Sequence, residues 1–289
     1  SVASLSALAE APSTRIWLGI AAGPPASAET VLAADIARLF PPGAPIRALP
    51  MLGDSGAGNL ALLLNTPGVD LAFVSADALA DAAEKDRGLA DKLDLVIRLP
   101  PQELHLLARA EIAAVADLAG RQVSLGPEGS ASAKAAAALF ETLGVRIEAL
   151  HLDAAEAVER LKRGTLSAAA ILEARPSPQI RAVPPNAGLH LLPVPFGAPL
   201  DAAYLPTRLD AGDYPNLIEA GADVPAVATG MVLLAAHGKK GTPEEAIDGF
   251  VTALFARFAE LRTEGRHPKW REVNLAAALP GFKRNRGAE

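Results

Sequence analysis

The segment 120–145, GRQVSLGPEGSASAKAAAALFETLGV, decides the predicted fold. Its first part, GRQVSLG, predicts a strand, and AAAALFETLG predicts a helix, with the small-residue turn GPEGSASAK between them. Such a turn leaves backbone N–H groups free at the start of the helix, where they can bind an anion. The alternative is an ordinary strand–helix turn in which Ser130 only caps the helix.

The same order of strand, small-residue turn and helix recurs in the first 80 residues. The predicted elements are a strand at 15–21, a helix at 27–40 with Ser27 as its N-cap, a strand at 46–52, a helix at 59–68 and a strand at 69–79. This repetition predicts an α/β fold with a mainly parallel sheet. Ligands of such sheets bind at the carboxyl ends of the strands.

The later part of the chain contains longer apolar and extended stretches. Residues 103–109, ELHLLAR, alternate as an extended segment does, and the chain is again extended around PVPFGAPL, which contains three prolines. Residues 226–237 predict a long apolar strand, and residues 243–265 predict one amphipathic helix.

Composition narrows the classes of function. The chain has 289 residues, a net charge of −6 and no cysteine. The negative charge argues against nucleic acid as a partner, and the lack of cysteine excludes disulfides and thiolate chemistry. No apolar run is long enough to span a bilayer, and no signal peptide is visible. The sequence begins at a serine, so we expect that a leader was removed.

Motifs for catalysis or cofactor binding are incomplete. No Gly-Lys-Ser/Thr ends the turn at 126–134, and no Gly-x-Gly-x-x-Gly follows the first strand. The five histidines lack metal-ligand spacing, and Ser55 in GDSGAG does not complete a Gly-x-Ser-x-Gly motif. No pair of acid–base groups is predicted. We therefore expect no enzyme activity, no metal and no cofactor.

Several stretches together resemble the TAXI solute-binding proteins of TRAP-type transport systems. They are LPMLGDSGAGNLALLLNTPGVDLAFVSADAL, ELHLLARAEIAAVADLAGRQVSLGPEGSASAKAAAALFETLGV, LPTRLDAGDYPNLI and the ending HPKWREVNLAAALPGF. The resemblance covers residues 15–282. It implies a type II periplasmic binding-protein fold, with two α/β lobes joined by two crossing strands. Lobe one would comprise 14–103 plus 200–289 and lobe two 104–199, with crossings near 100–106 and 195–203.

The resemblance also implies a set of ligand-binding residues at the turns that face the cleft. They are Ala22, Gly23, Ser27, Ser55, Gly56, Asn59, Ser75, Asp77, Gly129, Ser130, Ser132, Arg175 and Pro176. Arg175 is the expected partner of a ligand carboxylate, because its guanidinium suits that group. The chain has Pro24-Pro25 and Pro100-Pro101 where the family often has aromatic residues. The expected pocket is therefore wider and more apolar than usual.

The predicted function is that of a periplasmic solute-binding protein. A monomer would capture a small acidic or polar ligand between its lobes and deliver it to membrane permease subunits. The alternative is a periplasmic ligand sensor, or a carrier of a more apolar ligand, without a TRAP permease. An enzyme on the same two-lobed scaffold is a third possibility, since fold does not settle function.

Overall fold

The computed structural model of the protein describes residues 15–239 and 241–289. The strands are β1 (Ile16–Ala21), β2 (Ile46–Met51), β3 (Val69–Ser75), β4 (Leu93–Arg109), β5 (Gln122–Ser124), β6 (Glu148–Leu150), β7 (Ala168–Glu173), β8 (Leu189–Leu191), β9 (Leu205–Asp210), β10 (Asp223–Ala236) and β11 (Lys283–Arg284). The helices are α1 (Ala28–Arg38), α2 (Ala57–Asn65), α3 (Ala76–Lys85), α4 (Ala131–Thr142), α5 (Ala154–Arg163), α6 (Pro178–Arg181), α7 (Glu244–Ala256) and α8 (Phe258–Leu261).

The strands form two parallel groups joined by two long strands. The hydrogen-bonded order is β2-β1-β3-β10-β4-β7-β5-β6. In the first group β1 is parallel to β2 and β3, and in the second group β5 is parallel to β6 and β7. Between the groups, β10 is antiparallel to both β3 and β4, and β4 is antiparallel to β7. The predicted α/β fold is confirmed.

Two strands, β4 and β10, run through both groups. β4 pairs with β10 from Leu93 to Leu104 and with β7 from Glu103 to Ala108. The expected second crossing at 195–203 is not a strand, since Leu200–Ala202 forms a 3₁₀ turn there. The prolines of PVPFGAPL cannot donate to a sheet ladder, whereas β10 continues as one mostly apolar strand as far as Ala236.

Each group has apolar side chains packed on both of its faces. In the second group the neighbours Leu106 and Leu107 of β4 enter different clusters, because successive side chains of a strand point to opposite faces. Leu209 and Tyr214 pack with this second group, so the segment just after residue 200 lies there and not with the first group as expected. The division into lobes stays a prediction, and its first residue, 14, lies outside the described residues.

The C-terminal part of the chain returns to the first group. Phe250 of α7 and Trp270 pack in one cluster with Leu18 of β1 and Phe73 of β3. The predicted helix at 243–265 is divided, with α7 ending at Ala256 and the short α8 following. Among the described residues, none of the helices has the length and apolar character needed to cross a membrane.

Local signals set most of the remaining boundaries. The hydroxyl of Ser27 accepts from the backbone N–H of Thr30, and that of Ser130 accepts from the N–H of Ala133, which confirms both predicted N-caps. The strand predicted at 69–79 ends at Ser75, and α3 begins at once. The sequence ADALADAAEK is rich in helix-forming residues, so this helix was a missed local signal.

Candidate functional site

A cavity of about 300 Å³ lies between the two strand groups. The first group contributes the turn after β1 and the turn before α2, and the second contributes the turn before α4, the start of α5 and the end of β7. The lining residues are Pro24, Pro25, Ala26, Glu29, Asp54, Ser55, Ser124, Gly126, Pro127, Ser130, Ala131, Ser132, Leu152, Asp153, Ala154, Ala155, Ala157, Ala170, Ile171, Leu172, Glu173 and Gln179. Most of this surface is apolar, and its volume suits a small ligand.

The structure brings together three of the predicted site residues, Ser55, Ser130 and Ser132, in the lining of this cavity. Their hydroxyls already have partners in the protein: Ser55 Oγ donates to the carbonyl of Ala22 at 3.3 Å, and Ser132 Oγ donates to that of Ala170 at 3.2 Å. Ser130 Oγ caps α4. These serines therefore shape the turns that line the cavity.

Close packing within the turn before α4 explains why position 126 is a glycine. Gly126 has φ +93°, and a Cβ at this position would lie 2.9 Å from the Cβ of Ser132. Only glycine fits this conformation and this space. The backbone N–H of Ala131 donates to the carbonyl of Asp54 at 3.2 Å, so the helix N-terminus predicted to bind an anion instead contacts the first group.

The other predicted site residues do not line the cavity within the described part of the chain. They are Ala22, Gly23, Ser27, Gly56, Asn59, Ser75, Asp77, Gly129, Arg175 and Pro176. Most of them belong to the turns next to the lining residues. The sequence therefore indicated most of the turns that form the cavity, but not most of the individual residues that line it.

Asn59 has a structural role beneath the cavity. Its side-chain amide donates to the carbonyl of Ala22 at 2.6 Å and to that of Phe73 at 2.8 Å, and its Oδ1 accepts from the N–H of Asp54 at 3.0 Å. One fully buried side chain therefore connects β1, β3 and the turn before α2.

Arg175 has a different environment from the one predicted. Its guanidinium contacts four carboxylates, with N–O distances of 3.3 Å to Glu103, 3.1 Å to Asp210, 3.0 Å to Asp213 and 3.5 Å to Glu272. These acidic groups occupy the donors that a ligand carboxylate would need. We therefore assign Arg175 to the ion-pair network beside β4 and no longer to the ligand.

Two sets of polar contacts connect the two strand groups. The Lys134 ammonium of α4 lies 3.2 Å from Asp77 and 2.6 Å from Asp81 of α3. The side-chain amide of Gln179 donates to the carbonyl of Ala26 at 2.7 Å. The structure therefore shows the two groups in direct contact at these two places.

Two buried acidic residues, which the sequence analysis missed, line this cavity, one from each strand group. Glu29 lies in the first turn of α1 and is 1% exposed, and Glu173 ends β7 and is 5% exposed. Oε1 of Glu29 and Oε2 of Glu173 have no hydrogen-bond partner among the described residues. Burial raises the pKa of Glu29 to about 7, and burial together with the charge of Glu29 raises the pKa of Glu173. The sequence did not predict this interacting pair of acids.

The electrostatics of the cavity also differ from the expected anion site. Among the described residues that line it there is no lysine, arginine or histidine. Its other two acids are satisfied locally: Asp54 accepts from the backbone N–H groups of Gly56 and Gly58, and Asp153 caps α5. Glu29 and Glu173 thus bring two further acidic groups to a lining that has no described cationic side chain, so the site disfavours an acidic ligand.

We expect Glu29 to lower the free energy of unfolding as the pH rises from about 4.5 to about 7. Because its pKa is raised in the folded state, the folded protein holds this proton through that window while the unfolded chain releases it. In urea unfolding, the free energy of unfolding of the parent should therefore fall by about 1–3 kcal/mol more than that of Glu29→Gln when the pH is raised from 5 to 8.

The difference between the two proteins reports on Glu29 and on Glu173, whose pKa the charge of Glu29 raises, and it cancels the contribution of the buried histidines. Burial lowers the pKa of His105 and of His267 to about 4, which makes stability rise with pH between about 4 and 6.5, but both histidines are present in both proteins. The exposed substitution Glu148→Gln is the control and should leave the pH profile of the parent unchanged. Parallel profiles for the parent and Glu29→Gln would contradict the expectation.

The two parallel groups, the two shared long strands and the cavity between them define the fold of periplasmic binding proteins. The alkanesulfonate-binding protein SsuA from Xanthomonas axonopodis pv. citri, bound to MOPS, is similar to this chain at 17% identity, with 90% of this chain and 82% of that chain covered and a TM-score of 0.50. The regulatory domain of HypT from Salmonella typhimurium is 13% identical over 85% of this chain and 97% of its own, also with a TM-score of 0.50. A TctC solute-binding protein from Polaromonas has 23% identity, coverage of 90% and 87% and a TM-score of 0.49. The chain itself belongs to the NMT1-like family, whose family model matches residues 20–282.

Proposed function

We propose that this protein is a periplasmic solute-binding protein of the TAXI type that captures a small ligand between two lobes and delivers it to membrane permease subunits. The observation that carries the proposal is the cavity, which is lined by turns from both strand groups. The alkanesulfonate-binding protein, with the same fold, holds a small molecule. We propose that the protein acts as a monomer.

The lobes of this proposal follow the packing of the two strand groups. Lobe one would comprise residues 15–100 and 230–289, and lobe two residues 104–226, with β4 and β10 as the crossings. This division moves the second boundary away from residue 200, because Leu209, Tyr214 and Ile218 pack with the second group.

Native mass spectrometry of the purified protein tests the binding function. A small molecule that remains bound under native conditions and is released on unfolding would support it. Co-purification with permease subunits from a membrane extract would separate a transport protein from a sensor or carrier. The fold does not make this distinction, since it also forms the regulatory domain of HypT.

We expect ligand binding to close the lobes. Two lobes joined by two strands move as rigid bodies, and closure buries the ligand from both sides. Small-angle X-ray scattering should therefore give a smaller radius of gyration for the protein saturated with its co-purified molecule than for the protein stripped of it. The same profile in both samples would count against closure.

One observation favours a second candidate function, an enzyme. Two buried acids with raised pKa values in a cavity are an arrangement used for general acid–base catalysis. A binding protein returns its ligand unchanged, and an enzyme does not. Mass spectrometry of the released molecule after prolonged incubation with fresh protein distinguishes the two.

A further inference from the structure

We propose that the cavity binds a ligand with a protonated amine or amidinium group, and that this cationic group lies between the carboxylates of Glu29 and Glu173. The proposal rests on the ligand-binding function proposed above and assigns the charge of the ligand. It replaces the acidic ligand expected from the sequence.

The first argument is the state of the two carboxylates. Glu29 and Glu173 are lining residues of the cavity, and Oε1 of Glu29 and Oε2 of Glu173 are buried without a hydrogen bond in the described parts of the protein. A buried carboxylate without a partner is costly, and a cation that donates hydrogen bonds removes that cost. The described lining residues include no cationic side chain that could do so, which leaves this place to a ligand.

The second argument is a third unpaired acceptor in the same cavity. The amide nitrogen of Gln179 donates to the carbonyl of Ala26, which fixes the orientation of this side chain. Its Oε1 is then left buried without a donor among the described residues. The cavity therefore presents three acceptors, from Glu29, Glu173 and Gln179. An ammonium group has three donors and no acceptor, so it matches this set.

The two other acidic residues of the lining, Asp54 and Asp153, accept hydrogen bonds from the backbone, so among the described lining residues unpaired carboxyl oxygens are specific to Glu29 and Glu173. Asp54 accepts from the N–H groups of Gly56, Gly58 and Asn59 at 2.8–2.9 Å. Asp153 accepts from the N–H of Glu156 at 2.8 Å. Backbone donors thus satisfy both aspartates, whereas Oε1 of Glu29 and Oε2 of Glu173 have no hydrogen bond among the described residues. The Ser27 hydroxyl and the backbone of Ala174 oppose the rise in the pKa of Glu29 without cancelling the effect of burial.

The rest of the lining indicates the body of the ligand. Prolines, alanines and the side chains of Leu152, Ile171 and Leu172 form most of the surface. A volume of about 300 Å³ is at the small end of ligand pockets. The ligand class is therefore a small organic cation with an apolar skeleton.

The positions of the two glutamates also connect binding to closure. Glu29 lies on α1 in the first group, and Glu173 ends β7 in the second. Burial raises the pKa of both carboxyl groups, with the charge of Glu103 adding to the shift at Glu29 and that of Glu29 adding to the shift at Glu173. Without a ligand, ionising both groups at once is therefore unfavourable, because their like charges repel. A cation between them turns this repulsion into attraction to a shared partner, so the ligand draws the two groups together.

Calorimetry and thermal unfolding at pH 7.5 with two matched probe sets test the charge assignment. One set is benzamidinium, benzamide and benzoate, and the other is cyclohexylammonium, cyclohexanol and cyclohexanecarboxylate. In each set shape is nearly constant while charge runs from +1 to −1. We expect at least one cation to bind tenfold or more tightly than its neutral and anionic counterparts. Glu29→Gln and Glu173→Gln should each weaken that cation by ten- to a hundredfold.

Glu148→Gln, which removes an exposed carboxylate outside the cavity, is the matched control and should bind the cation like the parent. Circular dichroism confirms that each variant is folded. The charge assignment is overturned if an anion or neutral probe binds best, if no cation binds, or if Glu29→Gln binds the cation as tightly as the parent. A co-purified anionic or neutral molecule that closes the lobes would overturn the charge assignment alone. No co-purified molecule, no binding of any probe and an unchanged scattering profile would overturn the proposed function as well.

Discussion

Replacement of Lys269 by methionine is expected to lower the free energy of unfolding by about 3–5 kcal/mol. The Lys269 ammonium lies 2.6 Å from Glu103 Oε1, and both side chains are 2% exposed. Methionine keeps much of the volume but leaves Glu103 buried without this partner. Because burial already raises the pKa of Glu103 and the lysine opposes that shift, its loss should also move the pKa of Glu103 further upward.

Urea unfolding of three variants tests this role. Lys162→Met removes an exposed lysine that lies 2.8 Å from Glu159, and should cost less than about 1 kcal/mol. The double variant Lys269→Met/Glu103→Gln should recover part of the stability, because no unpaired charge remains buried. A loss below about 1 kcal/mol for Lys269→Met would show that the ion pair does not stabilise the fold.

Asn59→Ala is expected to cost about 2–4 kcal/mol of unfolding free energy. The substitution leaves the carbonyls of Ala22 and Phe73 and the N–H of Asp54 without their partner in a buried place, and each unsatisfied group costs about 1–3 kcal/mol, partly offset by local relaxation. Thermal or urea unfolding measures the loss.

The matched control for Asn59 is Asn65, at the end of the same helix, which donates to the carbonyl of Ala61 while exposed to solvent. Asn65→Ala should change stability by less than about 0.5 kcal/mol. The resemblance implied that Asn59 binds ligand. Asn59→Ala separates this binding role from the structural role that its hydrogen bonds indicate. Unchanged stability with weaker ligand binding would restore Asn59 to the binding site.

Features that depend on neighbouring residues could be predicted from the sequence. Ser27 and Ser130 cap helices through N–H groups three residues later, so the information lies in one short segment. The repeated strand, turn and helix likewise predicted the α/β fold, and the positions of the turns predicted where the cavity lies.

Features that depend on distant residues could not be predicted in the same way. Glu29 follows an N-cap serine and Glu173 ends an apolar strand, and each position is ordinary by itself. Their interaction arises only when the two strand groups meet. Arg175 was assigned to a ligand because its acidic partners, at positions 103, 210, 213 and 272, are remote in sequence. The local sequence around an arginine that follows a strand is the same whether the arginine binds a ligand or forms ion pairs within the protein.

The position of β10 in the sheet has a consequence for the biogenesis of the protein. This strand lies between β3 and β4, although it follows β4 in the chain by more than 110 residues. Until the ribosome has produced residues 223–236, β3 and β4 each lack a neighbour and expose a backbone edge that can pair with other chains. Neither strand group can therefore complete its sheet during most of translation. Both groups gain their missing neighbour when β10 pairs with β3 and β4. The sheet of a nascent chain therefore stays incomplete until residue 236 has been synthesised, and its two open edges are then covered together.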